Sequence, residues 1–236
     1  MIGSVMLTAI ILLLPPAIPL RGNDFTAIKS NDPSGKLALY EQLGLEALGL
    51  SKSAFVFALN GWNALLKEGK IRKDNILSIL DFSLPSGQKR MFVIDLEVRR
   101  LLFNTYVSHG RNSGKEIPTR FSNRANSNQS SLGFFVTQDT YRGKHGTSLR
   151  LHGEESGIND NALHRGIVVH GADYVSDQVA ERQGFVGRSQ GCPAIPTRLT
   201  RPIIDYIKEG SCFFIYSPDA SYLRRSPILR PQAQRS

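Results

Sequence analysis

The feature that most restricts the fold is a succession of short apolar runs between residues 90 and 217, broken by Gly, Asn, Ser and Pro. Arg90–Leu96 and Arg100–Val107 flank a turn and read as a hairpin, and Leu132–Thr137, Ser148–His152, Gly166–His170 and Cys212–Ser217 follow. Runs of this length, bounded by turn formers, read as strands rather than helices. One helix is expected among them, over Leu199–Glu209, with Ile203, Ile204 and Ile207 turned inward and Gly210 at its end. The expectation is a mainly β (α+β) domain over residues 81–218, with no internal repeat.

Upstream the spacing is helical. Leu39, Leu43, Leu45, Leu48 and Leu50 mark one amphipathic segment. Ala54, Phe55, Ala58, Leu59, Trp62, Leu65 and Leu66 mark a second at i, i+3, i+4 spacing, with Ser53 as its expected cap. Ile71–Leu80 is expected to add a short third. Residues 37–80 thus read as a small helical N-terminal subregion, with Trp62 in its core. Residues 21–36 are polar and read as a linker. Ahead of them, Val5–Leu14 is an apolar run followed by Pro15-Pro16-Ala17-Ile18-Pro19-Leu20. Such a run is too short to span a bilayer unaided but fits the core of a secretory signal. No Lys or Arg precedes it and no small-x-small cleavage site follows. Residues 1–20 therefore read as a signal peptide or membrane anchor, with a buried N-terminal segment as the alternative. Residues 219–236 read as a basic, mobile tail.

Lys and Arg number 29 against 20 Asp and Glu, a net charge of +9. That excess favours an anionic partner, and nucleic acid, anionic lipid and a carboxylate-rich bacterial wall all qualify. Four of the arginines fall at 224, 225, 230 and 235, in the tail. With no basic helix face and no aromatic-rich strand, nucleic acid is not the expected partner. Nothing in the sequence fixes the oligomeric state. The two cysteines make no disulfide scaffold. Cys212, inside Ser211–Tyr216, reads as a small core hydrophobe.

Cys192 has a different setting. Arg165-Gly166-Ile167-Val168-Val169-His170-Gly171-Ala172 is an apolar strand that delivers a histidine to its end, directly before glycine. After a loop comes Ser189-Gln190-Gly191-Cys192-Pro193-Ala194-Ile195-Pro196. A thiol attacks only as thiolate, and an ordinary pKa of about 8.5 leaves little of it at neutral pH. A histidine within reach supplies the missing base. Gly191 lets the backbone turn sharply with the thiol exposed, and the Gly191 and Cys192 amides are candidate donors to an oxyanion. By themselves these residues leave a catalytic and a structural reading both open, because Cys/His signatures do not transfer between families.

Ser-x-Gly-Cys preceded by a strand ending in His-Gly resembles the L,D-transpeptidase catalytic domain (YkuD-like) family, in particular the murein L,D-transpeptidase branch with Gly-Arg-Ser-x-Gly-Cys-Pro-Ala. Val107-Ser108-His109-Gly110 with Ser113-Gly114, Phe121-Ser122-Asn123, Ser130-Ser131-Leu132-Gly133, Tyr141-Arg142-Gly143-Lys144-His145-Gly146 and Val168–Val175 resemble that branch too. The similarity runs over about residues 75–217. It implies a β-sandwich catalytic domain acting on peptidoglycan stem peptides, exported to the periplasm or cell-wall space. Cys192 would attack the carbonyl of the third, L-centred residue of a tetrapeptide stem, expelling D-alanine and leaving a thioester. An amine of another stem would resolve it into a cross-link. His170 would be base and then acid, and Ser189 would hold the loop or orient the acyl group. If water resolves the thioester, the outcome is an L,D-carboxypeptidase or a wall-peptide hydrolase. Many relatives carry His where this chain has Gln190, and Arg or Asn where it has Ala194, so roles of those side chains do not carry over.

Other polar residues have two readings each. Arg188, Gly171, Tyr141, His109 and His145 are candidate substrate-binding residues. For His109 and His145 the alternative is loop-stabilising hydrogen bonding, and for Arg188 a solvated charge. Asp173 and Asp177 either orient a histidine or cap turns. A zinc peptidase is a rival class, but no His-Glu-x-x-His is present, and His145 with His152 or His164 with His170 are loosely spaced. Cysteine acyl chemistry calls for no metal or organic cofactor. A non-catalytic wall-binding module would have no need of either His170 or Cys192.

Overall fold

A computed structural model describes residues 33–230, so segment 1–20, most of the linker 21–36 and residues 231–236 lie outside the described residues. The chain enters through α1 (Pro33–Gln42), which takes up the last part of the expected linker. The helix stops there rather than running on to Leu50. Gly44 and Gly49 adopt left-handed φ of 59° and 85°, and the stretch between is turns that still bury Leu45 and Leu50.

Helix α2 (Lys52–Lys67) is capped by Ser51, two residues earlier than the expected Ser53. Ser51 Oγ accepts from the Ala54 amide at 3.1 Å, satisfying one of the open donors of the first turn. The Ser51 amide donates to Asp81 at 2.9 Å, which ties the helix start to the sheet. Ala54, Phe55, Ala58, Leu59, Trp62 and Leu65 are buried as the periodicity requires, and Trp62 Nε1 donates to the Asp74 carbonyl at 2.9 Å. Each large apolar side chain of that stripe contributes roughly 1.5–3 kcal/mol. Gly61 faces Phe134 so closely that a Cβ would sit 2.0 Å from the ring. Glycine costs the helix about 1 kcal/mol against alanine, but it lets the helix lie directly on the sheet.

The expected third helix is a strand. β1 (Lys73–Asp81) is buried from Ile76 onward. A continuous apolar run does not reveal its own period, and pairing decides it: β1 runs antiparallel to β2 (Met91–Asp95) and parallel to β8 (Ser211–Tyr216). The other strands are β3 (Arg100–Thr105), β4 (Gly133–Gly143), β5 (Gly146–Gly153), β6 (Val168–Gly171) and β7 (Ala194–Ile195). Helix α3 (Asp177–Gln183), absent from the sequence reading, sits between β6 and β7, and α4 (Thr200–Ile207) fills the expected Leu199–Glu209 helix. All eight strands form one sheet in the order β3-β2-β1-β8-β4-β5-β6-β7. The expected mainly β fold is therefore present as a single curled sheet.

Its two edges meet. Beyond β3 the chain continues alongside β7: the Ser108 amide donates to Ala194 O at 2.8 Å, the Ser189 amide to His109 O at 2.9 Å, and Gly110 bridges Ser189. This seam nearly closes a barrel, and the segment that carries Cys192 lies on it. The main core joins the helices α1, α2 and α4 to the sheet, so the helical region shares one core with the strands. A smaller cluster of Ala172, Val175, Ala180, Val186 and Ala194 packs under β6, β7 and α3.

The expected mobile tail is tied down through residue 229. Asp219 caps α5 (Ala220–Arg225) by accepting from the Tyr222 amide at 2.7 Å. Tyr222 is buried, its hydroxyl 3.2 Å from Glu155, and Ser226 Oγ bonds the same carboxyl group. Apolar Tyr222 and Ile228 anchor what the run of arginines suggested was free.

Candidate active site

Strand β6 holds His170 in register with Ser148 of β5 and Ala194 of β7. Its Nδ1 lies 2.9 Å from Gly171 O. A carbonyl only accepts, so the proton is assigned to Nδ1, and Nε2 is left with its lone pair available. The His145 ring stacks on it at 4.4 Å, tilted by 22°. Burial holds His170 below the ordinary histidine pKa; the Gly171 hydrogen bond opposes this, and the charges of His145 and Lys144 add to it. The imidazole is thus neutral at neutral pH, the form a general base requires.

Cys192 follows Gly191, whose φ of +128° lies where side chains are strained, and whose missing Cβ would meet Gln129 O at 2.8 Å. The turn is knitted by Ser189. Its Oγ accepts from the Gly191 amide at 3.0 Å and donates to Cys192 O at 2.6 Å. The Gly191 amide is therefore occupied, which removes it from the expected pair of oxyanion donors. The Cys192 amide has no acceptor among the described residues and remains available. The thiol points at Gly166 O, 3.6 Å away, and makes no hydrogen bond to His170 in this state. Burial raises its pKa, while the Val168 amide, Arg165 and Lys144 pull it down. Both cysteines are free, and Cys212 is fully buried as expected of a core residue.

Cys192, His170, Ser189, Arg188, Tyr141 and His145 all line one cleft of about 470 Å³. Two expected cleft residues do not. Gly171 is buried against Thr200, whose Oγ1 would lie 2.4 Å from a Cβ there, and it serves the site by orienting His170. His109 is fully buried behind the seam. Arg90, itself fully buried, donates to its Nδ1 at 2.7 Å, and its Nε2 faces Gly114 O at 3.2 Å. Burial, then the Arg90 charge, push His109 down to about 3, so it is a neutral structural link. Its carbonyl receives the Ser189 amide, so the Arg90–His109 pair backs the turn that carries Cys192.

The model of the L,D-transpeptidase catalytic domain matches residues 46–216, well over half of the chain. This chain belongs to the L,D-transpeptidase catalytic domain family. The match begins ahead of α2, so that helix falls within the family's domain. Among solved structures, the chain is similar to an L,D-transpeptidase from Mycobacterium smegmatis, at 14% identity over 61% of this chain and 59% of that one, with a TM-score of 0.37. An L,D-transpeptidase from Xylanimonas cellulosilytica gives 15% identity, 59% of each chain and 0.33. The helical cell shape determining protein Pgp2 from Campylobacter jejuni gives 13%, 67% of this chain, 56% of that one and 0.36. The chain covers less than two thirds of each of these structures. No curated protein matches it.

Within this L,D-transpeptidase domain the structure adds residues that the sequence reading gave no role. Arg165 donates to Ser122 O at 2.6 Å, Gln129 O at 2.7 Å, Ser127 Oγ at 3.2 Å and Ser131 Oγ, stapling the 122–131 loop beside the thiol. Ser130 Oγ reaches Gly191 O at 3.3 Å from the same loop. The 122–131 loop thus forms the backing of the turn that carries Cys192. Lys144, Arg111 and Tyr174 also line the cleft. The position of Arg165 directly before the His170 strand was the available signal for its role; Arg111 and Lys144 carried none beyond their charge. Asp173 and Asp177 bond Thr197 and Arg198, at 2.7 Å each, and do not touch His170.

Proposed function

We propose that this domain is a cysteine L,D-transpeptidase acting on tetrapeptide stems of peptidoglycan, with Cys192 as nucleophile and His170 as base. The observation that carries the reading is that His170, with Nδ1 on Gly171 O and Nε2 without a partner among the described residues, shares one cleft with Cys192. In the first step the thiol turns from Gly166 O toward His170, whose Nε2 takes its proton. Sulfur bonds to the carbonyl carbon of the third stem residue, and the Cys192 amide stabilises the oxyanion. Collapse breaks the amide bond; His170 returns the proton to the departing amine of D-alanine, leaving a thioester on Cys192. The amine of a second stem then attacks, losing its proton to His170, and the thiol is regenerated as the cross-link forms. Water in place of the amine gives a tripeptide stem.

The substrate lies outside the cytoplasm, and residues 1–20 would bring the domain there as a signal or anchor. No helix among the described residues is long and apolar enough to cross a membrane. The test is incubation with a disaccharide-tetrapeptide followed by mass analysis. Cross-linked dimer with released D-alanine supports transpeptidation, and tripeptide alone supports the carboxypeptidase reading. Neither product, under conditions where the protein is folded, would refute the proposal.

A further inference from the structure

The cleft around Cys192 carries charge of one sign. Arg111, Lys144, Arg165 and Arg188 line it, and no Asp or Glu does. None of these four makes a salt bridge among the described residues, whereas Lys70, Arg150, Arg198, Arg201 and Lys208 all do elsewhere. The cations also have a geometry. Arg111 and Arg188 stand on the seam, joined by Arg188 Nη1 to Arg111 O at 3.4 Å. Lys144 stands on the turn between β4 and β5. The strand order β5-β6-β7, with the seam beyond β7, sets His170 and Cys192 between those two walls. Arg165 lines the same cleft, its guanidinium held by neutral oxygens only. A cleft with unpaired cations on both sides of the nucleophile concentrates anions there and penalises a ligand that arrives neutral.

We infer that the acyl donor carries a free carboxylate on each side of the scissile carbonyl, one met by Arg111 and Arg188 and the other by Lys144. Donors in which either carboxylate is capped as an amide are discriminated against. The acyl-transfer reading supplies the identity of the ligand as a stem peptide; the sign of its charge rests on the cleft.

Four synthetic tetrapeptide donors test this: both carboxylates free, each capped in turn, and both capped. Two quantities are read, kcat/KM from release of the terminal residue and equilibrium binding to Cys192→Ala protein. Each cap is expected to cost about fivefold in both, as for a partly exposed ion pair. The difference should shrink in about 0.5 M salt, where the screening length is a few ångströms. Lys144→Gln should abolish the penalty for one cap and Arg188→Gln the penalty for the other. Four donors within about twofold of one another, or penalties unchanged in both variants, would overturn the inference. If all four are turned over equally, the acyl-transfer reading survives without it. If none is turned over but binding follows the carboxylate count, that reading falls and the charge preference stands.

Discussion

Replacing Ser189 with alanine removes one hydroxyl that holds two points of the turn carrying Cys192, the Gly191 amide at 3.0 Å and the Cys192 carbonyl at 2.6 Å. The side chain is 6% exposed, so bulk water does not readily take its place. Two hydrogen bonds at about 1 kcal/mol each, plus the penalty for leaving their partners unpaired, put the local cost at about 2–4 kcal/mol. The Ser189 backbone stays pinned to His109 and Arg111, so the cost falls on residues 190–192 rather than on the fold. Part of it is relieved as the turn shifts, and that shift carries the Cys192 amide and thiol with it. A displacement of about 1 Å at reacting atoms costs roughly 100-fold in rate. The expected result is an acylation rate by a carbapenem-type β-lactam about 100-fold lower, followed by intact-mass time courses. With about 1 kcal/mol corresponding to roughly 2–4 °C in a domain of this size, the melting temperature should fall by at most about 4–16 °C, and by less to the extent that the shifting turn relieves the cost. Ser189→Thr, which keeps the hydroxyl, should recover most of the rate. A folded Ser189→Ala protein that acylates within about twofold of wild type would refute the reasoning, as would a threonine variant no better than alanine.

Other consequences can be checked separately. Burial lowers the pKa of His170 and raises that of Cys192, so the resting pair is neutral, and thiolate ultraviolet absorbance should stay absent below about pH 8.5; thiolate at pH 7 in the free protein would contradict this. Burial raises Glu155 to about 7, above its unfolded value, so its contribution to stability is present below about pH 4.5 and lost as pH rises through 7. Glu155→Gln, whose amide can donate to Ser226, should therefore cost less in urea unfolding at pH 8 than at pH 5, and equal costs would contradict it. His109, held at about 3, acts in the opposite sense: its share is present above about pH 6.5 and lost as pH falls toward 3. Gly61→Ala should destabilise by about 1–3 kcal/mol despite the better helix propensity, because its Cβ would lie 2.0 Å from Phe134; a neutral or stabilising effect in denaturant melts would count against the close helix–sheet contact.

Those parts of the fold with an unambiguous period were legible in the sequence. The stripe from Ala54 to Leu65 could bury itself only as a helix, and the β2–β3 hairpin is marked by its two apolar runs. Ile71–Leu80 was misread because Ile76, Leu77, Ile79 and Leu80 are buried on both faces in a central strand, and such a run carries no periodic signal. The ordered tail was hidden for another reason: Tyr222, Ser226 and Ile228 dock it against Glu155 and the core, yet arginines dominate its composition. At the candidate site, Ser189 and Cys192 stand out because they share one short turn, and His170 because it ends an apolar strand before glycine. For His109 the structure shows the hydrogen-bonding alternative, and its partner Arg90 could not be named because it is distant in sequence and lies in a strand-type run. Of the cations in the cleft only Arg188 was marked in the sequence, by its place beside Ser189; Arg111, Lys144 and Arg165 join it only through the pairing of the strands and the meeting of the sheet's edges.

The central claim is that sulfur of Cys192 takes the acyl group. Its most direct test is intact-mass measurement of wild-type and Cys192→Ala protein after exposure to a carbapenem-type β-lactam, with peptide mapping of any adduct. The account predicts a single adduct on wild type, located on the peptide containing Cys192, and none on the variant. An unmodified wild-type protein, or an adduct that persists in Cys192→Ala, would contradict it.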